Sequence, residues 1–430
     1  MTKKPLYDIA KVIFVRFSSF LFIYPLAILL SRQLGAEGYG LYGTLMAYIP
    51  IIATICICGV DQFLVKQLAE SNPATGFTSN LTRYFKLVSG LCFGALLCLA
   101  WINLEFNLFP IAEFITACLI LIFLVIRRVQ TALLRGIKLP VPTQVAENIV
   151  QPIATLFLVL IGILWFDFTV LSALILYLVG LCLSVLFLSF SVKKRFRLKP
   201  ADNASASLGL KDVALTLPFL GLALTNDIAT YIDRIMLASM QGYSQAGVYL
   251  VVARNASLIL VAVTSIQLVI NPYIAEFKAN HSKQSLAKLA SYQVVGQTLL
   301  SITALLPIAL ISLYVGDIFG SEFSSAAGPL MILATGYVVT MVLGSGVQYL
   351  FMSGYSLLAF QIVFFATLLN VILNFLLIPE FGIYGAVYAT IASEACKKLL
   401  AAFVVTQKLQ LRIDLYPAIF YLAGKRAQYG

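Results

Sequence analysis

The chain has 430 residues, of which 61% are hydrophobic and only 11% charged, with a net charge of +11 and a pI near 9.2. Soluble domains carry about 25% charged residues, so this composition leaves too little polar surface for a soluble fold of this size. Apolar runs long enough to cross a ~30 Å hydrocarbon core recur along the whole chain, which makes it an all-α polytopic membrane protein with a mean hydropathy of +0.96.

The runs predict twelve transmembrane helices, at 9–31, 41–65, 86–103, 110–127, 143–165, 169–191, 213–236, 246–271, 291–315, 327–351, 358–378 and 383–405. The first run is too long for a cleavable signal peptide, contains Arg16 and lacks a small-x-small cleavage site, so it is expected to stay as the first span. Lysines and arginines gather at the N-terminus, in the even-numbered loops and in the tail. The opposite loops hold only Arg32. Both termini are therefore expected in the cytoplasm. Topology accounts for the basic balance, and no nucleic acid is implied. The short outer loops, such as "NLEFNLF" and "FDF", cannot build a folded outer domain.

The longest basic, small-residue stretch is "KKRFRLKPADNASASLGLK" (Lys193–Lys211), which reads as a solvated linker. It divides the chain into a lobe at 1–192, a linker at 193–211 and a lobe at 212–430. "YGLY" (Tyr39–Tyr42) and "AGVY" (Ala246–Tyr249) follow the first and seventh spans. "LRG" (Leu134–Gly136) and "MSG" (Met352–Gly354) precede the fifth and eleventh. These traces suggest a parallel repeat of six helices, related by a pseudo-two-fold along the membrane normal. Two bundles facing each other across a cleft suit alternating access.

Polar groups inside the spans carry the functional question. Arg16 lies about seven residues into the first span, ~10 Å deep. It either snorkels to the headgroups or faces an internal cavity. "GLCFG" (Gly90–Gly94) in the third span reads as a helix-packing motif. The fifth span aligns Gln144, Asn148, Gln151 and Thr155 on one stripe, with Glu147 beside it and Pro152 expected to bend the helix. In the seventh, Asp227, Tyr231 and Arg234 share one face. Asp233 points elsewhere, and a structural ion pair with another helix is the bland reading of each charge. The eighth span carries Arg254, the ninth Gln293, Gln297 and Ser301, and the eleventh Thr367, Asn370 and Asn374. Amides and hydroxyls often only join helices, but stripes in several spans would also suit a sugar. Glu394 with Lys397 and Lys398 reads as a local pair.

The seven cysteines lie in apolar runs without a CxxC pair and read as small core hydrophobes. The single histidine, His281, falls in a polar loop, so neither a metal site nor a cofactor is expected. No Ser/His/Asp set or phosphate-binding loop supports catalysis.

Three stretches resemble a known family. "LSRQLGAEGYGLYGTL" (Leu30–Leu45), "YIDRIMLASMQGYSQAGVYLVVAR" (Tyr231–Arg254) and "LLIPEFGIYGAVYATIASE" (Leu376–Glu394) are similar to the polysaccharide flippases, the Wzx type, of the multidrug/oligosaccharidyl-lipid/polysaccharide exporter superfamily. The resemblance implies two six-helix lobes forming a V around a central cavity. It implies an undecaprenyl-diphosphate-linked oligosaccharide as substrate, moved from the inner to the outer leaflet of the bacterial inner membrane for O-antigen, capsule or exopolysaccharide synthesis. Membrane lipids, a polysaccharide polymerase and chain-length machinery are the partners it implies. Relatives that flip lipid-linked peptidoglycan precursor usually have fourteen helices, against twelve here. Drug and cation antiporters usually keep an acidic residue in the first helix, where this chain has Arg16.

The expected mechanism is a cationic lumen, lined by Arg16, Arg254 and Arg234, that replaces the water around a diphosphate. Asn148, Gln151, Asn370, Asn374 and Gln297 are the candidate sugar contacts, and Asp227 and Glu147 the candidate ion-coupling groups. The inside-negative potential would help expel an anion, by ~2.3 kcal/mol per charge per 100 mV. The competing readings are a proton- or sodium-coupled antiporter of cations, which would want an anionic cavity, and a membrane-embedded glycan polymerase or ligase, which would want acid/base residues on a large outer loop.

Overall fold

A computed structural model describes residues 15, 18–70, 77–165, 167–195, 210–280 and 282–415. Among the described residues every regular element is helical. Nine of these segments are long and apolar enough to span a membrane. The surface is inverted relative to a soluble protein. Phe93, Leu97 and Trp101, spaced four apart on one helix face, are exposed, as are Leu164, Trp165, Phe365, Phe375 and Leu376. Such a face has no cost in hydrocarbon, where lipid tails are as apolar as leucine.

The chain forms two compact units, Met1–Leu34 with Leu41–Tyr231, and Gly35–Gly40 with Ile232–Gly430. The first holds most of α1 (Phe20–Ile57), α2 (Val60–Glu70), α3 (Phe77–Phe106), α4 (Ile111–Gly136), α5 (Pro140–Trp165), α6 (Val170–Arg195) and the start of α7 (Leu210–Gln241). The second holds the end of α7, then α8 (Tyr243–Ala279), α9 (Lys283–Leu313), α10 (Val315–Phe319) and a 3-10 turn at Ser321–Ala326. It continues with α11 (Ala327–Met341), α12 (Gly346–Met352), α13 (Ser356–Phe381) and α14 (Ile383–Leu409). The division falls inside α7, and most of the basic stretch 193–211, at 196–209, lies outside the described residues.

Several expected boundaries change. The first two spans are one helix, α1, broken at Gly35 (φ 66°, ψ −177°). The stretch expected to be their connecting loop is helical because it packs: Ala36 and Tyr39 are buried, and a Cβ at Gly40 would lie 1.8 Å from the Tyr243 carbonyl oxygen. Only glycine lets the two backbones meet there. The Ala36 N–H donates to Glu322 Oε2 at 2.6 Å, so a carboxylate caps the helix that restarts after the break. The second expected span breaks again at Cys58 and Gly59, whose φ values are 51° and 73°. The tenth breaks after Met341, and α12 begins at Gly346.

Two other expectations are corrected. Gly90 and Gly94 are exposed, and a Cβ on either would meet no described atom within 4 Å, so among the described residues that GxxxG packs against no other helix. Cys98 is exposed, whereas Cys56, Cys58 and Cys92 are buried as expected. The second unit has its own apolar core, with Ile274, Tyr349, Leu350, Ile362, Ala401 and Val405 at its centre.

Candidate functional site

The polar interior of the first unit is organised by α4. The sequence reading ended this helix at residue 127 and left Arg127, Arg128 and Arg135 to a loop. The helix runs on to Gly136, because Val129, Ala132 and Leu133 continue its buried apolar face. That extension carries the arginines into the helix packing.

Arg127, Thr131 and Arg135 recur every four residues and so share one stripe. Opposite them runs α5. Arg127 Nη1 donates to Gln151 Oε1, Thr131 Oγ1 donates to Glu147 Oε1 at 3.3 Å, and Arg135 Nη2 lies 3.7 Å from Glu147 Oε2. The α5 helix widens into a π turn at Ala146–Val150, immediately before Pro152. Proline has no N–H for the carbonyl four residues back, which gives the physical reason for the irregular turn where a bend was expected. Asn148 Nδ2 stays on its own helix, 3.1 Å from both the Gln144 carbonyl and Gln144 Oε1.

Arg128 points elsewhere. It donates to Thr54 Oγ1 on α1, Thr54 donates in turn to Asp227 Oδ2 on α7, and Arg128 Nη2 lies 3.6 Å from the same carboxylate oxygen. Gly59 makes this possible. A Cβ there would stand 2.4 Å from the Thr216 carbonyl oxygen and 2.6 Å from the Leu220 nitrogen, so its absence lets α7 approach α1. Further along the two antiparallel segments, Asp227 then faces Thr54. Asp61 on α2 adds a third carboxylate whose field reaches Arg128 and Arg135. Sequence periodicity singles out Asp227 and Glu147 but not their partners, because hydropathy alone assigns the α4 arginines to a loop.

In the second unit Asp233 is buried and accepts three neutral hydrogen bonds, from Tyr249 Oη at 2.8 Å, Thr390 Oγ1 at 2.7 Å and Asn374 Nδ2 at 2.7 Å. The bland expectation of an ion pair with another helix is replaced by a network of hydroxyls and an amide. Asn374 Nδ2 also donates to Asn370 Oδ1 at 3.1 Å, and Asn370 Nδ2 reaches Ser393 Oγ at 3.4 Å. Gln297 Nε2 donates to the Met341 carbonyl at 2.7 Å, and its Oε1 accepts from Ser345. Asn370, Asn374 and Gln297 are thus buried and occupied by neighbouring helices. Their stripes are used for packing in this conformation.

Lys397 pairs with Glu394 as expected, whereas Lys398 is buried with its Nζ 3.2 Å from Met341 Sδ. Arg234 is half-buried beside Asp233. Arg254, twelfth residue of α8, donates to Tyr39 Oη at 3.2 Å. Tyr39 is itself held edge-on to Phe323, with ring centroids 6.0 Å apart. Among the described residues no carboxylate lies at ion-pair distance from Arg254. Arg16 and His281 lie outside the described residues.

Comparison with known proteins gives a consistent picture. A family model for polysaccharide biosynthesis proteins matches residues 8–278. A relative from Haloferax volcanii, the probable low-salt glycan biosynthesis flippase Agl15, is 27% identical over 189 residues, 43% of this chain and 39% of its own length. The alignment therefore spans well under two thirds of that relative. Among solved structures, the lipid II flippase MurJ in an inward closed conformation superposes with a TM-score of 0.71 at 13% identity, covering 97% of this chain and 93% of that one. An inward-facing multidrug resistance transporter of the MATE family, in the MOP superfamily, gives 0.68 at 14% identity over 93% and 98%. A Pyrococcus furiosus MOP superfamily transporter, for which reverse polarity of the binding pocket suggests a different function, gives 0.64 at 14% over 94% and 95%. At these identities the structural likeness concerns the fold.

Proposed function

The chain belongs to the polysaccharide biosynthesis protein family, and we propose that it is a multi-pass membrane transporter, not an enzyme, that flips a lipid-linked glycan. Its substrate on this reading is an undecaprenyl-diphosphate-linked oligosaccharide. The protein carries it from the cytoplasmic to the outer leaflet of a bacterial inner membrane by alternating access, during surface polysaccharide synthesis. Both termini face the cytoplasm, and a polysaccharide polymerase with its chain-length machinery receives the product. The flippase relative named above supports the glycan class.

One observation carries the reading: Arg254 lies in an apolar span with a phenol, and no described carboxylate, as its partner. A charge at such a depth costs about 2.5–3.5 kcal/mol on insertion scales. Its retention makes sense if an anion supplied from outside completes the pair, and a diphosphate offers oxygens that an arginine fork can grip. Arg16 and Arg234 are proposed to share this task, and Asn148 to meet the glycan; Gln151 is buried and bonded to Arg127, and so serves packing as Asn370, Asn374 and Gln297 do. A carrier of cations would want carboxylates free of basic partners at the coupling positions. Asp227 and Glu147, the proposed coupling groups, both stand beside arginines.

The test is deletion of the gene followed by analysis of lipid-linked glycans. A completed oligosaccharide should build up on the inner leaflet, and wild-type protein should restore export. Arg254→Ala, accumulating in the membrane to the same level, should not. Build-up of unpolymerised units on the outer leaflet would instead indicate a polymerase, and normal export by Arg254→Ala would sink the role of that residue.

A further inference from the structure

The ion pair between Arg128 and Asp227, like that between Arg135 and Glu147, is long and partly open, and it differs in sharing its carboxylate oxygen with a hydroxyl that also bonds the arginine. Two charges withdrawn from water usually repay their desolvation only with good geometry and satisfied hydrogen bonds. Here the contact is through one carboxylate oxygen, and its 3.6 Å separation is longer than the ~2.7–2.9 Å of a charge-assisted hydrogen bond. The same oxygen is shared with Thr54. The two side chains keep 26% and 22% of their surface open. A guanidinium has five N–H donors, and among the described residues Arg128 places one on Thr54 and turns a second toward Asp227.

We propose that Arg128 is a binding residue for a diphosphate group and that Asp227 holds its place in the empty protein, a carboxylate standing where a phosphate oxygen binds. This rests on the flippase reading and deepens it by naming a headgroup site within the first unit. Thr54 is the pivot. Its hydroxyl accepts from Arg128 and donates to Asp227, so it stays bonded to the arginine when the carboxylate is displaced. The geometry supports exchange over simple addition. Asp227 Oδ2 already faces Arg128 Nη2, so an anion that takes this nitrogen must displace the carboxylate oxygen. Internal competition of this kind makes affinity for the anion depend on how firmly Asp227 holds Arg128.

The experiment measures binding of two probes to the full chain in nanodiscs: undecaprenyl diphosphate in the bilayer, and inorganic pyrophosphate in solution. Asp227→Asn should tighten binding about fivefold or more, a coupling of ordinary size. Arg128→Gln should weaken it about tenfold or more, through the loss of a charge-assisted hydrogen bond. The double variant should match Arg128→Gln alone, because the aspartate acts only through the arginine. A gain of affinity in Asp227→Asn cannot come from misfolding, which protects the test if Arg128→Gln is unstable. Unchanged or weaker binding in Asp227→Asn overturns the proposal. If wild type binds neither probe, the flippase reading fails and this inference with it. If pyrophosphate shows the pattern and the lipid does not, the diphosphate site stands and the lipid substrate is overturned.

Discussion

Arg127 on α4 donates to Gln151 on α5, and one turn along α5 Glu147 meets Thr131 and Arg135, one and two turns along α4. The two antiparallel helices are joined by a polar ladder whose rungs repeat every four residues. An unpaired rung is expensive in this setting. A donor left without its acceptor keeps its full desolvation penalty, while removing both partners together can be nearly neutral.

Gln151→Leu should therefore lower stability by about 2 kcal/mol, the scale of a lost hydrogen bond to a charged group. Arg127→Leu combined with Gln151→Leu should recover much of that loss. Thermal unfolding in a fixed lipid–detergent mixture measures both, and strictly additive effects would show that the rung carries no coupling.

Gly59 should tolerate no side chain. Its φ of 73° and the Thr216 carbonyl 2.4 Å from a Cβ predict that Gly59→Ala pushes α7 away from α1 and separates Thr54 from Asp227. Strain and displaced packing together should cost about 1–3 kcal/mol, read as lower accumulation and a lower melting temperature. Gly90→Ala, with open surroundings, is the matched control and should behave as wild type.

Asp233 should tolerate asparagine better than leucine. Leucine at this position removes the acceptor that Tyr249, Thr390 and Asn374 share, leaving Thr390 the Ala386 carbonyl and Asn374 the Asn370 oxygen, at about 1–3 kcal/mol for a group left unsatisfied. Asparagine keeps an oxygen where Tyr249 and Thr390 converge. Equal melting temperatures for Asp233→Leu and Asp233→Asn would mean that the three hydrogen bonds contribute little to the second unit.

Glu322→Gln should be nearly silent and Glu322→Ala should not. The Ala36 N–H needs an acceptor at the restarted helix, and a lost cap costs about 1 kcal/mol. Glutamine still supplies a carbonyl oxygen, whereas alanine supplies none. Comparing hydrogen exchange at Ala36 in the two variants separates the cap from any general loss of stability.

The helical class and most spans were legible because a long apolar run has one solution in lipid. The α5 stripe was legible only in part: Gln151 stood on it, but Glu147, expected beside it, shares the face toward α4. The α4 arginines were not, because two adjacent cations at the end of an apolar run look like a loop on hydropathy alone. The continuing i, i+3, i+4 pattern of Val129, Ala132 and Leu133 was the available signal. Helix rotation was also hidden. The fully buried Asn374 and Gln297 and the outward Gly90 have the same local sequence character as residues facing the other way, and only the packing of neighbours decides between them. The glycines that matter, Gly40 and Gly59, are marked by what crosses them, which no single stretch of sequence records.

The membership of Gly35–Gly40 in the second unit has a bearing on biosynthesis. These six residues leave the ribosome long before the partners they need, among them Tyr243, Arg254 and Glu322. Until those arrive, the Ala36 amide and the Tyr39 hydroxyl must make do with water or headgroups, so the second unit matures only once its early-made piece is captured. A C-terminal fragment translated alone would lack that piece, and co-expressed fragments should reassemble better when the N-terminal one retains it.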